Sequence, residues 1–154
     1  MVIEQFDMDT PLMPGDTRTD DVLAIHDLWR QIGDDNTDAL HGDSEGLRVL
    51  MSGLDYLVSR EQNLARVIGA ISIMDCGRGL AKIDSLAVHP DYRHRGLGLA
   101  LARGAIEHCV ARGYAEITTT AMPSSQALFT RLGFETYEVH TTGNASMFFD
   151  IQST

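Results

Sequence analysis

Leu86-Ala87-Val88-His89-Pro90-Asp91-Tyr92-Arg93-His94-Arg95-Gly96-Leu97-Gly98 is the stretch on which the reading of the fold turns. An apolar run ends at Val88, Pro90 stops it, and two glycines lead into a helical pattern that continues from Leu99 to Arg112. The order is a strand, a tight loop and a helix N-terminus. Such a junction is an anion cradle, because the first turn of a helix has N–H groups without intrahelical partners and the helix dipole adds about half a positive charge there. Glycine suits positions 96 and 98, where a Cβ would obstruct a phosphate and restrict the dihedrals that turn N–H groups inward. Arg93, His94 and Arg95 add positive charge at the same point. A tight turn without a ligand is the simpler alternative.

Two common phosphate binders do not fit. A mononucleotide loop needs Lys-Ser/Thr after its last glycine, and Gly98 is followed by Leu99-Ala100. A dinucleotide fingerprint needs a third glycine, and none follows in that register. What the stretch does contain is Arg93-x-x-Gly96-x-Gly98 preceded by Leu86-x-Val88-x-Pro90. In this it resembles the GNAT superfamily of N-acetyltransferases, whose pyrophosphate loop for acetyl-coenzyme A (acetyl-CoA) reads Q/R-x-x-G-x-G/A after a strand of the form L-x-V-x-P. The resemblance implies that Leu86, Ala87 and Val88 pair with the pantetheine amides. It likewise implies that Arg93, His94, Arg95, Gly96, Leu97, Gly98 and Leu99 form the phosphate loop.

A second block, Phe129-Thr130-Arg131-Leu132-Gly133-Phe134, is similar to the superfamily's Y-x-K/R-x-G-F. Here Phe129 replaces the tyrosine and Met122 replaces an asparagine often found seven residues earlier. In members that carry it, the tyrosine can protonate the leaving thiolate; Phe129 is instead expected to pack against the helix face or the pantetheine arm. Ser124 and Ser125, on the first turn of the same helix, either hydrogen-bond the cofactor or cap the helix. The specific resemblance runs from about Ala81 to Phe134; the flanks match only in the order of their elements.

Around this centre, the 154 residues suit a single domain spanning 1–154. A net charge of −10 argues against non-specific nucleic-acid or anionic-membrane binding, so a local basic patch must meet any phosphate. Cys76 and Cys109 form no C-x-x-C pair, which suits a reduced, cytoplasmic setting, and the acidic N-terminus has no signal pattern. No apolar run approaches the ~20 residues of a membrane span, and no metal-ligand pattern stands out.

In chain order, Val2 to Met8 alternates as a strand, and Val22, Ile25, Leu28, Trp29 and Ile32 mark a helix that begins near Asp20 and ends at Gly33. An acidic loop over 34–46 and a short helix capped by Ser44 follow. Strands are expected at Tyr56–Val58, Val67–Met74 and Leu80–Val88, the last two joined by a glycine-containing hairpin. After the helix that buries Leu101, Ala105, Ile106 and Cys109 come a strand at Ala115–Thr120, a helix from Pro123, and strands at Phe134–His140 and Ser146–Ile151. The expected fold class is α/β (α+β): a GNAT-like mixed, mainly antiparallel sheet of six to seven strands, flanked on both faces by about four helices, with a central β-α-β unit.

Acetyl transfer to a primary amine, of a small molecule or a peptide, needs a base, since a lysine-like amine has a pKa of about 10.4. It also needs an N–H donor facing the thioester oxygen. The resemblance implies direct attack in a ternary complex, with that donor on the strand through Leu86 to Val88. For the base, period-two alternation puts Asp84 on the same side as Leu86 and Val88, with a salt bridge to Lys82 as its alternative role. His89 has a suitable pKa, or is a surface histidine before proline; His140 is a third candidate. The superfamily binds its acceptor with the first two helices and the last hairpin, which here include Trp29, Asp34 and Tyr137; the carboxylates over 34–45 would favour a cationic amine. The alternative function is an acyl-CoA-binding sensor that has lost transfer. A homodimer is suggested by Met147-Phe148-Phe149-Asp150-Ile151, an apolar last strand in need of a cover.

Overall fold

The computed structural model describes residues 3–6, 21, 23–25, 27–28, 54–61 and 66–152. Seven strands form one sheet: β1 (Ile3–Phe6), β2 (Asp55–Arg60), β3 (Val67–Asp75), β4 (Leu80–Val88), β5 (Glu116–Ala121), β6 (Glu135–Val139) and β7 (Ala145–Asp150). Their order across the sheet is β1-β2-β3-β4-β5-β7-β6, and every neighbouring pair is antiparallel except β4 with β5. Helix α1 (Leu97–Ala111) joins that parallel pair, and helix α2 (Pro123–Arg131) joins β5 to β6. The fold class is therefore the mixed, mainly antiparallel α/β sheet expected from the order of elements.

The sheet is covered on both faces. On one face, α1 buries Leu97, Leu101, Ala102, Ala105 and Cys109 against Leu57, Ile71, Ile73, Ile83 and Ile117. Removing each large aliphatic side chain from water contributes roughly 1.5–3 kcal/mol. Gly69 lets the helix approach, for a Cβ there would stand 2.8 Å from Leu101 Cδ1. α2 docks beside α1 through Phe129, whose ring meets Phe134 edge-on at 5.2 Å, and Phe134 meets Phe149 at 5.4 Å. On the opposite face, the helical residues Ile25 and Leu28 pack with Phe6, Tyr56, Val58, Ala70 and Ala87. This helix is pinned by charge as well: both terminal nitrogens of Arg60 donate to the Asp21 carboxylate, at 2.9 and 3.0 Å. Arg60 also donates to Glu4, so its guanidinium is held more firmly protonated than usual by two carboxylates.

Two expectations change. The last strand is not an edge: β7 lies between β5 and β6, with Met147 fully buried. Met147 and Phe149 pack into the core beneath the helices, whereas Phe148 is half-buried on the opposite face beside Tyr137. The edge on that side of the sheet is β6, exposed along its whole length. The second change concerns β4. Opposite Ile71 of β3 stand two residues of β4, Ser85 and Leu86, because Ser72 pairs with Asp84 while Ala70 pairs with Ala87. Ser85, the first residue of the bulge, has a left-handed φ of 52°, the conformation of the G1 class of bulge. One extra residue reverses the alternation, so Asp84 lies on the face opposite to Leu86 and Val88 rather than beside them. The expected loop and short helix over 34–51 fall outside the described residues.

Candidate active site

The bulge coincides with a second irregularity. β4 and β5 pair at Leu80↔Glu116, Ala81↔Ile117 and Lys82↔Thr118, and the register ends there. Beyond it the two strands diverge, and β4 carries main-chain groups toward the gap that a complete ladder would have consumed. The gap opens on a cavity of about 490 Å³. Leu86, Ala87 and Val88 form one wall, and Ser124, Ser125 and Leu128 of α2 form another. The third is the loop from Tyr92 to Leu99.

That loop is built by local chemistry. Pro90–Tyr92 is a single 3-10 turn, capped by His89, whose Nδ1 accepts from the Asp91 N–H at 3.1 Å. Arg93 Nε then donates to the Val88 carbonyl at 3.0 Å, closing the loop back onto the strand. His94 (φ 62°) and Gly96 (φ 80°) are both left-handed, a pattern that turns successive N–H groups to one side. α1 begins at Leu97 with no side-chain cap on its first turn and no acidic residue there. Its leading N–H groups are left for a ligand, and the helix dipole favours an anion. The two glycines differ in purpose. Gly96 supplies the positive φ, with nothing within 4 Å of a notional Cβ, whereas a Cβ on Gly98 would stand among Leu128 (3.5 Å), Val88 (3.9 Å) and Leu86 (4.0 Å), in the cavity itself. The residues present fit a phosphate-bearing chain lying along β4 with its anionic end at α1.

Of the cofactor residues expected from sequence, Arg93, His94, Gly96, Leu97, Gly98 and Leu99 line this cavity with the strand residues and both serines. Phe129 does not: it is buried in the aromatic cluster beneath α2. Leu128, one helical turn beyond Ser124, takes the lining position, while Phe129, one turn beyond Ser125, is turned into the core against Phe134. Spacing from the two serines admits either residue, and the choice is made by the aromatic cluster of Phe129, Phe134 and Phe149. Arg95 also lies off the lining, its guanidinium carbon 5.4 Å from the Tyr92 ring centroid. Tyr92 itself was missed, and its hydroxyl donates to Glu61. The Glu61 carboxylate raises the phenol's pKa above its ordinary value.

The candidate proton acceptors are separated. His89 is occupied in capping its turn and lies outside the cavity lining. Asp84, half exposed, accepts from the Ser85 N–H at 2.9 Å and has Lys82 Nζ at 3.6 Å, the salt bridge expected as its alternative role. Through the pairings Lys82↔Thr118 and Thr118↔Phe148, Asp84 shares its face with Phe148, against whose ring Tyr137 leans at 6.0 Å. Tyr137 is 60% exposed. His140 Nε2 and Ser146 Oγ are hydrogen-bonded at 2.7 Å. Trp29 and Asp34, expected at the acceptor side, lie outside the described residues, as do the carboxylates over 34–45. Neither cysteine is a nucleophile of this cavity: Cys76 is in the exposed β3–β4 turn, and burial pushes the Cys109 thiol up to about 11. No group of three metal-ligating side chains occurs among the described residues, and no described helix is long and apolar enough to cross a membrane.

Known proteins share this architecture. An aminoglycoside 6′-N-acetyltransferase complexed with coenzyme A superposes with a TM-score of 0.74 at 15% identity, over 98% of this chain and 97% of that one. A phosphinothricin acetyltransferase from Sinorhizobium meliloti in complex with acetyl-CoA gives 0.71 at 22% identity, over 97% and 89%. A ribosomal-protein-alanine N-acetyltransferase from Brucella melitensis gives 0.71 at 17%, over 98% and 100%. At these identities the likeness is one of fold. No curated protein matches the sequence significantly. The model of the acetyltransferase (GNAT) family, however, matches residues 22–134, a span that contains the diverging strands, the loop and both helices lining the cavity. With sequence motif, wedge and helix N-terminus in agreement, this chain belongs to the acetyltransferase (GNAT) family.

Proposed function

We propose that this protein is an acetyl-CoA-dependent N-acetyltransferase that acetylates a primary amine by direct attack in a ternary complex. The observation that carries the reading is the wedge between β4 and β5, continuous with the uncapped N-terminus of α1. Leu86 to Val88 would hold the pantetheine arm through main-chain hydrogen bonds, and the first turn of α1 with Arg93 and His94 would hold the pyrophosphate. When bound, acetyl-CoA supplies an activated thioester whose thiol is acidic enough to leave without a side-chain acid. Freed N–H groups on β4 beyond the bulge are suited to a developing negative charge on the carbonyl oxygen.

The two faces of the sheet divide the work. The cavity and both helix N-termini lie on one face, while Asp84, Phe148 and Tyr137 lie on the other, so the amine approaches through the wedge from the Asp84 side. Asp84 receives the amine's proton through water, its Oδ1 steadied by the Ser85 N–H. Amine acceptors, such as those in the names of the structural neighbours, are consistent with this layout. The acidic stretch over 34–45 favours a cationic one.

Calorimetric titration with acetyl-CoA, followed by thiol release against a panel of amines, tests the reading. We expect binding and amine-dependent release, with Asp84→Asn lowering kcat about 10²-fold while acetyl-CoA affinity is retained. Binding without release from any amine would favour an acyl-CoA sensor, a reading that the core position of Phe129 supports by leaving no side-chain acid there. Absence of binding would overturn both.

A further inference from the structure

The loop carries two arginines that are used differently. Arg93 lines the cavity and spends its Nε on the Val88 carbonyl, bracing the loop. Arg95 does not line the cavity, and among the described residues it forms no ion pair. Its guanidinium instead lies over the ring of Tyr92. Tyr92 is fixed on several sides: its hydroxyl donates to Glu61, Arg66 Nη2 approaches the same carboxylate at 3.5 Å, and His89 meets the ring edge-on at 5.7 Å. Stacking on an aromatic face reduces the freedom that a long side chain loses on binding, and leaves the planar fork of donors presented to a phosphate.

Coenzyme A has three phosphates, two in the pyrophosphate and one on the ribose 3′-oxygen. The N–H groups of the cradle, with Arg93 and His94, serve the first two. We propose that Arg95 recognises the third, the 3′-phosphate outside the cradle, and that Tyr92 is the positioning residue that keeps Arg95 at the rim. The proposal rests on the cofactor reading above, and extends it to a selectivity for coenzyme A over its dephosphorylated form.

The test is calorimetric titration of the full-length protein with coenzyme A and, separately, with 3′-dephospho-coenzyme A. The wild-type protein should favour coenzyme A by about tenfold, the scale of a charge-assisted hydrogen-bonded pair. Arg95→Gln should bring coenzyme A down to the affinity of the dephospho form and leave the latter within about twofold. Tyr92→Leu should lose the preference as well, while Tyr92→Phe, which keeps the ring, retains it. A general disturbance of the loop would weaken both nucleotides together, so the ratio separates positioning from structure. Equal affinities in the wild-type protein, or an equal loss of both nucleotides in Arg95→Gln, would overturn the proposal while leaving the cofactor reading in place. Failure of the wild-type protein to bind either nucleotide would overturn the cofactor reading and this proposal with it.

Discussion

At Ala81 and Lys82, β4 is paired on both sides, with β3 and with β5, and its side chains alternate between the two faces as a regular strand requires. From Asp84 to Val88 the same strand is paired with β3 alone, holds a bulge at Ser85 and Leu86, and borders a cavity. Ile83, at the junction, is fully buried beneath α1. A complete ladder stabilises the fold but has no hydrogen-bonding capacity left for a ligand, whereas an open one exposes that capacity and depends on its neighbours to stay in shape. The neighbours are visible. Ser72 Oγ donates to the Asp84 carbonyl at 3.0 Å, the His89 N–H donates to the Ile68 carbonyl at 2.8 Å, and Arg93 holds the end of the strand. The open half of β4 is thus tied from β3 and from its own loop, on the sides away from the gap.

Substitutions in each half should separate function from stability. Gly98→Val, which places methyl groups in the cavity, should weaken acetyl-CoA at least about a hundredfold in calorimetry with little change in the thermal unfolding midpoint. Unchanged binding would mean that the cofactor does not pass between Gly98 and Leu128. Ile83→Ala, in the closed part of the sheet, should cost about 2–5 kcal/mol in urea unfolding, since it leaves a cavity under α1. A loss well below that range would show the core there to be able to collapse. The smallest effect is expected from Ser85→Gly. Relief of the left-handed φ is offset by the entropy of glycine in the unfolded chain, so stability should move by no more than about 1 kcal/mol. A larger loss, measured in the same way, would show that the bulge depends on the Ser85 side chain rather than on its backbone angle.

Much of the site was legible before the chain was folded. Pro90, Gly96 and Gly98 act on the backbone at their own positions, so strand, loop and helix start could be read from adjacent residues, and with them nearly every cavity-lining residue between Leu86 and Leu99. Helix α1 likewise declared its buried stripe, including Leu101, Ala105 and Cys109, because a 3.6-residue period is a property of the local chain.

The remaining features depend on residues far apart in sequence. The face on which Asp84 lies is decided by an extra residue inserted against Ile71 of another strand, and alternation counted along β4 alone cannot register it. The interior position of β7 follows from its pairing with both β5 and β6, and a strand's composition does not state its neighbours. Tyr92 meets Glu61 across 31 positions and Arg60 meets Asp21 across 39, contacts whose partners are chosen only when the sheet brings distant segments together. Turn chemistry, helix period and the loop leading into α1 were determined by the sequence through short-range sterics and hydrogen bonding. Strand order, bulge register and the face on which Asp84 lies were left to the tertiary structure, because each is a choice among long-range pairings that local propensity leaves nearly equal in energy.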